Sequence, residues 1–198
     1  AEAAFVSRTS IVPTVFAGLS SWIIQDENYG DFQIGREYQF ALEFAPTHLS
    51  ASADLRERPG IEHAAGAQHD VRGVVLYRSP AVWVVDFGVP AYAEAEPPDW
   101  AHVEARVKGT VYIGVDPFMY SERLRHEPGM PRLSRTWLVK RILLETTPWV
   151  ESIDSRGRKL QRRVSEARTF RSVPSTDAWN DDGGIADYVL ECELQPAG

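Results

Sequence analysis

Residues 102–116, HVEARVKGTVYIGVD, put Val103, Ala105, Val107, Gly109, Val111, Ile113 and Val115 on every odd position. The even positions carry His102, Glu104, Arg106, Lys108, Thr110 and Asp116, with Tyr112 and Gly114 among them. Period two sustained this long is the pattern of a strand with one buried and one wet face. At about 3.3 Å per residue such a strand would reach roughly 50 Å, far beyond the ordinary length. Gly109 lies on the buried side and offers a place to bend, so the strand is expected to coil across two halves of a β-barrel.

Further segments repeat the signal. Tyr38, Phe40, Leu42 and Phe44 alternate with Gln39, Ala41 and Glu43. Residues 71–77 and 82–89 flank Arg78-Ser79-Pro80-Ala81, a hairpin connection, and 82–89 is apolar on nearly both faces, as a central strand is. Strands are also expected at 10–16, 20–25, 137–144 and 185–194, about nine in all. Helix is scarce: only Ser52–Arg58 and Phe118–His126 have helical spacing, each ended by proline. The stretch 46–70 lacks a sustained apolar pattern and is expected to be a long mobile loop.

The long bent strand, the even strand spacing and the scarcity of helix resemble an oligonucleotide/oligosaccharide-binding (OB) barrel over about residues 36–150. The likeness rests on pattern and on no diagnostic motif. It implies an all-β, bent-sheet barrel with added strands, and a barrel face that takes a single nucleic-acid strand or another ligand.

Charge is distributed unevenly. Residues 123–171 hold 13 of the 21 basic side chains and five acids, a net +8. Residues 1–122 stand at −9, and 172–198 carry six acids and no base. Arg156, Arg158, Lys159, Arg162, Arg163, Arg168 and Arg171 are faced locally by Glu166 alone, and they are the candidate partner-binding residues. They are expected to form a projecting hairpin arm over 153–171. Arginine forks suit carboxylate and phosphate alike, so the arm points to acidic protein surfaces or to a polyanion. The acidic pI of about 5.3 weighs against a dedicated nucleic-acid binder.

Catalytic signals are thin. Asp86 interrupts an apolar strand and Asp116 ends one, and two carboxylates meeting in a cleft could do acid–base work. No HExxH, GxSxG, P-loop or GxGxxG pattern occurs, and the five histidines fall in unrelated contexts. Asp26–Asp31 with Glu37 echoes a calcium loop, but the sixth position is Asp31 where glycine is needed, so a polar turn is expected. Trp100 and Trp179 sit in loops as candidate contact points for a partner. The single cysteine, Cys192, lies on an apolar strand face and excludes an internal disulfide.

An acid at Glu2 stands where a secretory signal needs positive charge, no apolar run approaches membrane-helix length, and cytoplasmic location is expected. Arginine outnumbers lysine 18 to 3, the bias of a GC-rich bacterial source. The expectation is therefore one β-barrel domain over 1–198, a noncatalytic module with no cofactor or metal. It would bind a protein partner or itself through the basic arm. Single-stranded nucleic-acid binding and an enzyme using Asp86 or Asp116 are the alternatives.

Overall fold

A computed structural model describes residues 12–154, 156–162 and 167–197. Thirteen strands are defined there: β1 (Thr14–Ser20), β2 (Glu37–Phe40), β3 (Leu42–Ala51), β4 (Gly60–Ala65), β5 (Gln68–Arg78), β6 (Trp83–Asp86), β7 (Pro90–Ala93), β8 (Arg106–Val115), β9 (Arg135–Glu145), β10 (Trp149–Asp154), β11 (Gly157–Arg162), β12 (Phe170–Val173) and β13 (Asp187–Leu194). The helices are short, α1 (Ser21–Gln25) and α2 (Met119–Glu122), with 3₁₀ turns at Leu124–His126 and Asp181–Gly184. Among the described residues no helix is long and apolar enough to cross a membrane.

A closed five-stranded barrel forms from β3, β8, β5, β6 and β7. Antiparallel pairings run β3–β8, β8–β5, β5–β6 and β6–β7, and a parallel pairing of β7 with β3 closes the ring. The shared strand is β5, which pairs with β8 over Gln68–Val74 and with β6 over Val74–Arg78. Gly73 sits at that change of neighbours, where a Cβ would stand 2.6 Å from Val85 Cγ1 and 2.8 Å from the Asp86 carbonyl oxygen. Only glycine lets the strands approach so closely.

The expectation for 102–116 holds for its second half. Val107, Val111, Ile113 and Val115 are buried, and Gly109 (φ 144) faces a bulge in β3 between Pro46 and His48. Val103 is exposed, because the chain turns at Glu104 (φ 71), whose N–H donates to the Val75 carbonyl, and β8 begins only at Arg106.

Beyond the barrel, the sheet continues through β1, β13, β9 and β12, joined to β8 by the parallel bridge Gly18↔Gly114. β2 and β12 occupy opposite ends of one edge of β9. The main core fills the space between strands with Trp83, Trp137, Phe32, Phe40, Phe87 and Tyr188. A smaller cluster of Val82, Val84, Tyr92, Tyr120, Leu124 and Leu133 lies under the 119–133 segment. β6 is thus covered on both sides, which is why it reads as apolar on both faces.

Three expectations are corrected. The stretch 46–70 is no long loop: β3 runs on to Ala51, and β4 pairs with β5 across the turn at 66–67. Ser52–Arg58 is not helical, whereas Phe118–His126 contains α2 and the first 3₁₀ turn. The segment expected as a strand over 20–25 is instead α1, docked by the Ser21 N–H and Oγ on the Ala186 carbonyl.

Candidate functional site

The basic arm divides into two parts. Among the described residues, β10 and β11 form a hairpin whose strands pair only with each other, in the register Trp149↔Arg162, Glu151↔Leu160 and Ile153↔Arg158. Opposed residues of an antiparallel pair share a face, so Ile153 and Arg158 stand side by side near the tip. Ile153 is 81% exposed, and Arg158 stands 3.9 Å from Glu151, with both side chains in solvent. Such an exposed pair contributes little stability and leaves Arg158 available to another anion. Arg156 and Lys159 are exposed in the same hairpin. Arg163 lies outside the described residues. At the root, the Trp149 Nε1–H donates to Asp182 Oδ2 at 2.5 Å.

Arg168 and Arg171 belong elsewhere, correcting the arm's expected span of 153–171 to a hairpin of 149–162. Arg168 Nη1 donates to both oxygens of Glu145, at 2.9 and 3.1 Å, and Glu145 is buried. The Thr147 hydroxyl donates to the same carboxylate at 3.1 Å. Arg168 therefore neutralises an interior acid where β12 returns to β9, while Arg171 lies on β12 opposite Leu144. The periodicity of charge alone could not separate these roles, because Glu145 is 23 residues away from Arg168.

The carboxylates do not converge on a shared partner. Asp86 Oδ1 accepts the Gly88 N–H at 2.8 Å in the tight turn between β6 and β7. Asp116 has no exposed surface, and its Oδ1 accepts the Tyr92 hydroxyl at 2.5 Å and the Tyr120 N–H at 3.1 Å. Its Oδ2 has no hydrogen-bond partner. Burial raises the Asp116 pKa, opposed by the Tyr92 hydroxyl and the amides of α2. The carboxyl ties the end of β8 to α2.

Sequence reasoning missed Glu43. It stands across from Gly114 and Tyr92 in the sheet, and its pKa is raised to about 7 by burial, then by Asp116 and Glu94. Glu94 is itself ion-paired with Arg123. Burial and the same acids hold the Tyr29 and Tyr92 hydroxyls protonated. Glu43, Asp116 and the two tyrosines thus form a mutually repelling cluster that favours neutral forms. An acid on the third residue of a central alternation (Phe40, Leu42, Phe44) was the available signal.

The loop tryptophans also separate. Trp100 packs edge-on against buried Trp83, with centroids 6.2 Å apart, and both line a cleft of about 260 Å³ with Pro46 and Leu49. Trp179 is 65% exposed. Cys192 is buried, and burial pushes its thiol pKa up, away from reactivity. Among the described residues, no group of three or more His, Cys, Asp or Glu side chains is placed to hold a metal.

The fold and the site together define an all-β barrel protein carrying a separate basic hairpin. Comparison with protein-family models, curated proteins and solved structures finds no match.

Proposed function

We propose that this protein is a noncatalytic binding module whose β10–β11 hairpin engages an acidic protein surface. The observation that carries the reading is the pairing of Ile153, 81% exposed, with Arg158 on a two-stranded sheet that pairs with no other strand among the described residues. Burying a large aliphatic beside an exposed cation gives a partner both contact area and orientation. The acidic remainder of the chain supports a protein partner over nucleic acid, since phosphate binders spread positive charge across the whole contact face. The lone buried cysteine fits a reducing compartment, and the proposal places the protein in the cytoplasm.

A photo-crosslinking residue at Ile153, with a control at the exposed Leu55, tests this in cells. A protein adduct at position 153, absent at 55 and lost on adding Arg158→Glu, is expected. An adduct with nucleic acid, or none, overturns the proposal.

A further inference from the structure

We infer that the partner surface of the hairpin is a second copy of this chain, each copy laying its hairpin tip on the Trp179-bearing face of the other. The inference rests on the hairpin reading above and names its partner.

The receiving face is built from two joined segments. Gln25 of α1 donates from Nε2 to the carbonyls of Ala178, at 2.7 Å, and Gly184, at 2.8 Å. Ser21 at the other end of α1 is bonded to Ala186. The helix therefore lies along residues 178–186 and brings its own exposed apolar side chain to that segment. Trp22 is 51% exposed, Trp179 65% and Ile185 47%. Exposed large apolar side chains carried on adjoining segments mark an interaction face, and tryptophan is the side chain most enriched at binding hot spots. Asp177 and Asp182 are exposed beside Trp179 in sequence, and residues 172–198 contain no base. The hairpin offers the complement of both properties, exposed Ile153 and cationic Arg158.

Within one chain the hairpin root is fixed to the acidic turn. Trp149 anchors the hairpin root to Asp182, and Ile153 lies four residues further along β10. Four residues of strand extend roughly 13 Å. The tip therefore reaches well beyond the anchored root. Because root and turn are neighbours in each chain, a two-fold relation lets both tips reach the opposite turns at once, closing an isologous dimer instead of a filament.

Analytical ultracentrifugation of the purified chain should show a dimer at low ionic strength, dissociating as salt is added. Arg158→Glu with Arg156→Glu and Lys159→Glu should give a monomer, as should Asp177→Lys. Mixing the two variants should restore a mass twice that of the monomer, because each reversed tip then meets a reversed face. Trp22→Ala with Trp179→Ala, which leaves every charge in place, should also yield a folded monomer by circular dichroism. A wild-type chain that stays monomeric at low salt overturns the inference, as does a dimer that survives the tryptophan changes. If the wild-type chain is monomeric yet Ile153 crosslinks to a different protein, the second-copy inference falls and the binding-module reading stands. If Ile153 crosslinks to no protein, both fall.

Discussion

The Tyr92 hydroxyl donates a 2.5 Å hydrogen bond to Asp116 Oδ1, while Oδ2 of the same buried carboxyl has no partner. Strand β7 and the end of β8 are thereby joined by a side-chain bond between residues 24 apart in sequence. Removing the acceptor would leave a buried hydroxyl and a buried amide unsatisfied. Asp116→Ala is expected to cost about 3 kcal/mol in denaturant unfolding. Asp116→Asn keeps an acceptor at Oδ1 and removes a buried charge, so it should cost less than about 1 kcal/mol. Equal losses for the two variants would contradict this account.

Gly109 meets its neighbour more closely than any side chain allows. A Cβ there would stand 1.7 Å from the His48 carbonyl oxygen, and φ is 144°. Gly109→Ala should force β3 and β8 apart at the bulge and cost about 3 kcal/mol or more, at the upper end for a single strained position. Thermal unfolding measures it, and Gly30→Ala, with open space around its Cβ, serves as the control.

Two interior groups give stability opposite pH dependences. His69 is fully buried; its Nε2 accepts the Phe16 N–H at 3.2 Å and its Nδ1 donates to the Ala67 carbonyl at 3.0 Å. Burial pushes its pKa from 6.5 down to about 4. The folded state thus favours the neutral ring, and the stability it contributes is present above pH 6.5 and lost as pH falls toward 4. That loss amounts to about 3 kcal/mol. Glu43 runs the other way, with its pKa raised from 4.5 to about 7. Its contribution is present below pH 4.5 and lost as pH rises through 7. Glu43→Gln should therefore remove the decline on the alkaline side and leave the acid limb intact. His69→Gln should flatten the acid limb alone. Urea midpoints across this range check both.

Arg168 and Arg158 look equivalent in sequence and should behave differently. Arg168→Ala strands the Glu145 carboxylate in the interior, where Thr147 still donates to it, and should cost about 2 kcal/mol given the partial exposure of the arginine. Arg158→Ala should change stability by no more than about 0.5 kcal/mol. If the costs are reversed, the division of the arm into a structural root and a free tip is wrong.

Local periodicity was enough to place Val107–Val115, the hairpin at Arg78–Ala81, and the alternation Tyr188, Leu190, Cys192, Leu194 in strands. A side chain's face in a strand follows from its own position in the chain, so a barrel of strands was legible without any partner. Where the alternation ended was not. Val103 continues the pattern and is exposed, because Glu104 is turned by a hydrogen bond to Val75, a contact with another strand. Ser21–Gln25 reads as strand and folds as helix, because its ends are held by Ala178, Gly184 and Ala186 from the far end of the chain. The clustered arginines were evident from the sequence by itself. Which of them would be consumed inside the protein depended on Glu145, and the raised pKa of Glu43 depended on its burial and then on Asp116 and Glu94. Electrostatic and hydrogen-bond partners are chosen by closeness in space, and only the closed barrel sets which distant residues come close.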